Sequence, residues 1–102
     1  MDLALLEAKE AYGIDEVPIG AVIVSSKGEI ISRAHNLKEK NHQVTGHAEI
    51  IALQDAASRI ESWRLLDCDI YVSLEPCPMC LSAIIQSRAK NLFFGAYDTK
   101  GG

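Results

Sequence analysis

The chain has 102 residues, of which 48% are hydrophobic, 24% charged and 6% aromatic; that is one small domain with enough apolar content for a core and too much for a disordered chain. Ten Lys and Arg against fourteen Asp and Glu give a formal net charge of -4, which excludes a strongly basic nucleic-acid module but not a local basic patch. No apolar run reaches bilayer-spanning length, the opening lacks the basic start and long apolar run of a signal peptide, and the odd number of cysteines argues against a closed disulfide framework. The expectation is a soluble cytoplasmic domain, with no membrane attachment, whose cysteines are thiols or metal ligands.

Residues 2–12 place Leu3, Leu6 and Glu10 on one line with Leu5, Ala8 and Tyr12 nearby, a helix stopped by Gly13. Ile19 to Val24 is a continuous apolar, β-branched run closed by Ser25, Ser26, Lys27 and Gly28, which predicts a buried strand and a turn. Glu29 to Ala34 is the returning strand of the hairpin, and His35 to Gly46 is a polar, patternless loop. His47 to Ile60 is a second helix, with Ile50, Leu53, Ala57 and Ile60 at helical spacing and Thr45 as its cap. Asp69 to Leu74 is a third strand. Pro78 to Arg88 is a third helix with proline at its start, and Asn91 to Ala96 is a fourth strand. The order α-β-β-α-β-α-β implies a mixed sheet covered by helices on its faces, with parallel neighbours wherever a helix joins two strands. The chain reads as a single domain over 1–102 whose C-terminal end is incomplete, because Asp98 to Gly102 looks like the middle of a loop.

The residues that carry chemistry fall in two clusters. His47-Ala48-Glu49 opens the second helix, and Pro76-Cys77-Pro78-Met79-Cys80 opens the third. Zinc takes thiolate sulfur and imidazole nitrogen in tetrahedral geometry. Cys77 and Cys80 are three apart, so one helical turn puts both sulfurs on one side, where the helix dipole lowers a thiol's pKa. One imidazole and two thiolates give three protein ligands and leave a fourth position for water, as in a catalytic site. Glu49 lies two residues after His47, a spacing that diverges within a helix but not at a helix start, where it can act as the general acid/base. Alternative readings of the cysteine pair are a structural zinc knuckle, with Cys68, His35 or His42 as a weak fourth ligand, and a redox pair. Cys68 reads better as a small buried thiol, and His35 and His42 as surface loop residues.

The pattern His-x-Glu followed by Pro-Cys-x-x-Cys is that of zinc-dependent nucleobase deaminases. The likeness extends to Glu16-Val17-Pro18-Ile19-Gly20-Ala21, Ala34-His35-Asn36, Ser62-Trp63-Arg64-Leu65, Leu74-Glu75-Pro76-Cys77 and Phe94-Gly95-Ala96. In these stretches the chain resembles the bacterial tRNA-specific adenosine deaminases of the cytidine/deoxycytidylate deaminase superfamily, over about residues 14 to 102. The resemblance implies a three-layer α-β-α fold of the cytidine-deaminase type, lacking that family's C-terminal strand and helix. It implies hydrolytic conversion of adenosine to inosine in the anticodon loop of a tRNA, by a homodimer with one zinc per chain. By the same resemblance, His47, Cys77 and Cys80 would hold zinc, Glu49 would shuttle protons, and Asn36 and Asp98 would contact the flipped nucleotide at its base and ribose. The chain departs from the family in Val44-Thr45-Gly46, where the family has proline and alanine around the threonine, and in the absence of a basic, aromatic C-terminal helix that helps bind RNA. The competing functions are deamination of free guanine, cytosine or a deoxynucleotide, and a non-catalytic subunit of the same fold. The third helix carries Met79, Leu81, Ala83, Ile84 and Ile85, a wider apolar arc than one sheet face needs.

Overall fold

A computed structural model describes residues 1–14, 16–37 and 45–96. The elements follow the expected order: α1 (Asp2–Gly13), β1 (Gly20–Val24), β2 (Ile30–His35), α2 (Ala48–Ile60), β3 (Asp69–Val72), α3 (Pro78–Gln86) and β4 (Asn91–Phe94). The sheet order is β2-β1-β3-β4. β1 is antiparallel to both β2 and β3, and only β3 and β4 run parallel side by side. This corrects the expected parallel neighbours: the strands joined through α2 share a direction, but β1 lies between them. The cause is visible in burial. The first four residues of β1 are buried, as a strand paired on both edges requires, whereas β2 exposes Ile30 and Arg33 along an edge.

Serine and glycine make the hairpin turn. The Ser25 hydroxyl accepts from the backbone N–H groups of Lys27 and Glu29 at 3.2 Å each, and Gly28 takes a φ of +81°, open to glycine at little cost. α1 runs on through Gly13 rather than stopping before it, and Ile14 caps it. β1 starts one residue later than its apolar run, β2 lies one residue further along than expected, and β3 and β4 each end two residues earlier.

The three layers are α1, the sheet, and α2 with α3. On the α2–α3 side, Ala21, Ala34 and Val72 form one cross-strand row, and Ile23, Ile70 and Leu92 belong to the next. They pack with Ala48, Ala52, Leu53, Ala56 and Ile84 into the main core. On the α1 side the row is Val22, Arg33, Tyr71 and Phe93, with Gly20 opposite His35. Here Ala4, Ala8 and Ala11 are buried. α1 lies so close that a Cβ on Gly20 would collide with the Ala4 carbonyl oxygen.

Candidate metal centre and active site

Because β2 and β3 point the same way, α2 and α3 both begin at one end of the sheet, beyond the C-terminal ends of those strands. Residues at helix starts there converge, as ligand sites do in open α/β sheets. His47 is the N-cap of α2 and Cys77 the N-cap of α3, both with extended backbone. Pro78 holds the first helical position of α3, and Cys80 follows within the first turn. The Nδ1 atom of His47 lies 3.7 Å from Cys77 Sγ and 3.4 Å from Cys80 Sγ. The three ligand atoms lie within 4.8 Å of one another.

These separations test the fit to zinc. Zn–S near 2.3 Å and Zn–N near 2.0 Å at tetrahedral angles put a sulfur and a nitrogen about 3.5 Å apart, which the two distances bracket. The protonation chemistry agrees. Burial first, then the charge of Glu49 and the neighbouring Cys77, pushes the Cys80 thiol well above its ordinary range. A divalent cation is what would let such a buried sulfur exist as thiolate. The site therefore fits zinc held by His47 Nδ1, Cys77 and Cys80.

Glu49 sits in the first turn of α2 and is 2% exposed. Its Oε1 is buried without a hydrogen-bond partner. Burial raises its pKa, against the opposing pull of its own backbone N–H and a hydrogen bond with Cys80. An ordinary first-turn acid favoured by the helix dipole would be solvated. This one is buried with one oxygen unsatisfied, a condition expected where a ligand or water completes the site.

Asn36 follows directly on β2 and is 3% exposed. Its Oδ1 accepts from the Ala48 backbone N–H at 2.7 Å, and its own N–H donates to the Ile19 carbonyl at 3.2 Å. Asn36, not Thr45, supplies the acceptor at the start of α2: Thr45 is exposed and no side chain of the N-cap residue performs this role. The expected first helical residue, His47, is instead freed from helical geometry to face the sulfurs. Cys68 lies outside the ligand group and is a buried thiol with raised pKa, through burial and then the charges of Asp67 and Asp69. His35 is not a surface loop residue; it ends β2 and is half-buried beside Glu7. Asp98 and His42 lie outside the described residues.

Residues 1–96 match the family model for the cytidine and deoxycytidylate deaminase zinc-binding region. The chain belongs to this deaminase family. Within it, the chain is 49% identical over 102 residues to the tRNA-specific adenosine deaminase of Bacillus subtilis, spanning 63% of that protein's length. It is 50% identical over 100 residues to the protein of that name in Rickettsia bellii, covering 97% of this chain and 69% of the relative. A solved deaminase from work on A-to-I editing by tRNA:A34 deaminases superposes with a TM-score of 0.96 at 47% identity, covering 100% of this chain and 78% of the other. The guanine deaminase of Bacillus subtilis superposes with a TM-score of 0.92 at 38% identity, over 96% of this chain and 62% of that one. The mixed four-stranded sheet with its three helices is thus the deaminase fold. Among the described residues, no helix of this family member is long and apolar enough to cross a membrane.

Proposed function

We propose that the chain is a zinc-dependent hydrolytic deaminase that converts adenosine to inosine in the anticodon loop of a tRNA, releasing ammonia in the cytoplasm. The observation that carries the reaction class is the buried, unpartnered Glu49 oxygen beside one imidazole and two sulfurs at two converging helix starts. The substrate class is supported by relatives named tRNA-specific adenosine deaminase at 49% and 50% identity.

His47, Cys77 and Cys80 hold the metal. The chemistry zinc supplies when bound is Lewis-acid activation of water near neutral pH. Glu49 accepts a proton from the attacking water and delivers it to adenine N1. The water oxygen forms the new bond at C6. Glu49 then takes the remaining proton of the new C6 hydroxyl and gives it to the departing amine as the C6–N bond breaks, so adenosine and water become inosine and ammonia. Asn36 holds the base, and Asp98 the ribose. The base must leave its stack to reach Glu49, which favours a single-stranded loop.

Replacing Glu49 by alanine should lower ammonia release from an anticodon stem-loop by ~10²–10⁴-fold while one zinc per chain remains by elemental analysis. Near-normal turnover in that variant removes Glu49 from the role. The likeness to a guanine deaminase makes guanine the second reading, so guanine and cytosine belong in the same assay. Faster release from guanine than from the stem-loop replaces the tRNA assignment.

The same reading includes a homodimer. α3 turns Cys80 and Ile84 inward but leaves Met79, Leu81 and Ile85 exposed. Beside them, Ile50, Ala57 and Trp63 line an apolar groove between α2 and α3. Two copies packed through this face would cover it. Sedimentation should find a dimer that Ile85→Glu converts to monomers or aggregates; a clean monomer of the unmodified chain at micromolar concentration overturns it.

A further inference from the structure

On the face of the sheet away from the metal site, one polar cluster stands out. Glu7 of α1 is only 8% exposed. Its Oε2 accepts from Arg33 Nε at 2.7 Å, and its Oε1 lies 2.8 Å from His35 Nδ1. Arg33 and His35 are two apart on β2, so one carboxylate clamps successive residues of the same face. A buried carboxylate is retained at little cost only when both oxygens are satisfied in this way. Where the clamp closes, His35 pairs with Gly20 across the strands. A Cβ on Gly20 would lie 2.6 Å from both Ala8 N and Glu7 Cβ. α1 is therefore seated directly on the Gly20–His35 pair, at the end of the sheet where the site is built.

The residue after His35 is Asn36. Its side chain holds the Ala48 N–H, and Ala48 separates His47 from Glu49. An unbroken series of contacts thus runs from α1, through the end of β2, to the start of the helix that carries an imidazole ligand and the proton shuttle. On the opposite face Asp55 also holds β2, through Ser32 at 2.9 Å, but in mid-strand and mid-helix, away from this end.

We propose that Glu7 is a positioning residue for the deaminase site: by clamping His35 and Arg33 it fixes Asn36, and through Asn36 the start of α2. The kinetic part rests on the deaminase reading; the structural part does not. Glu7→Gln keeps the shape and packing of the side chain but removes its charge, so the clamp loosens without a cavity. Exchange of the Ala48 amide proton, followed by NMR on the zinc-loaded protein, should then quicken about tenfold, the equivalent of one weakened hydrogen bond. Asp55→Asn, which loosens the same strand elsewhere, should leave Ala48 exchange unchanged. On an anticodon stem-loop, Glu7→Gln should lower kcat/KM about tenfold at unchanged zinc content. In an Asn36→Ala background the same change should cost less than about twofold, because the two act as one unit. Unaltered Ala48 exchange, additive kinetic losses, or an equal loss from Asp55→Asn would each overturn the proposal. If the unmodified protein does not act on the stem-loop, the deaminase reading fails and the exchange measurement alone decides the clamp. Should Glu7→Gln fail to fold, His35→Gln removes the other end of the same contact from a half-exposed position and must give the same exchange result.

Discussion

The two faces of the sheet are held by different physics. The α2–α3 face is an interdigitated apolar core in which Ile23, Ile70 and Val72 are fully buried against two helices. The α1 face is a close backbone approach: small residues on the helix, a glycine beneath them, and one buried carboxylate tied to β2. Tyr71 and Phe93 stack there with centroids 5.0 Å apart, and Phe93 stays exposed. The lesson is that bulk burial stabilises the side that carries the chemistry, while the other side is held by fit and charge. The chemical face can therefore spend polar groups on function, since Glu49 lacks a partner for one oxygen without threatening the core around it.

If this contrast is right, perturbations should cost most on the face that relies on volume. Ile70→Ala leaves a cavity among Ile23, Val72 and α3, and should lower unfolding free energy by about 2–5 kcal/mol in urea titrations. A loss under about 1 kcal/mol would mean that this core is looser than its burial implies. Gly20→Ala tests the other face by steric means alone. The added methyl meets Ala4 and Ala8 backbone atoms that cannot rotate away, so α1 must lift, at about 1–3 kcal/mol; calorimetry should show a lower Tm. A neutral result would remove the close approach from the account.

The smallest effect is electrostatic. Burial alone would raise the Glu7 pKa, but hydrogen bonds from His35 and Arg33, together with their charges, outweigh it and hold it below the ordinary 4.5. A folded-state pKa below the unfolded one adds stability that is full above about pH 4.5 and is lost as pH falls through the folded value. With Arg33 partly exposed, solvent screening keeps this contribution small. The stability difference between the parent and Glu7→Gln should therefore shrink as pH drops below about 4.5. A difference constant through that range would show that folding does not lower the Glu7 pKa.

What the sequence disclosed follows the same division. The helices and the apolar strands were legible because each is written in local periodicity, and His47, Glu49, Cys77 and Cys80 because each pair lies within one helix start. The strand order was not: nothing local says that β3 will pair with β1 rather than beside β2, since that depends on which strand can bury both edges. Asn36 was expected at the site from the likeness to the family; its cap on Ala48 was not, because that bond spans 12 residues and displaced the nearer Thr45. The contact between Glu7 and His35 was not legible for the same reason: it spans 28 residues, and His35 taken singly reads as a loop histidine.

The placement of β1 between β2 and β3 has a consequence for how the molecule assembles. His47 and Cys77 are 30 residues apart in the chain, and their helices are brought side by side only when β3 joins the free edge of the hairpin. The hairpin with α2 can form from contacts close in sequence, carrying one ligand; the segment with both sulfurs arrives later, at the cost of closing a longer loop. A metal that binds the completed trio more tightly than the separate ligands draws the equilibrium toward the pairing of β3 with β1. The metal site is in this sense a clasp on one four-residue strand, complete only while that strand is docked.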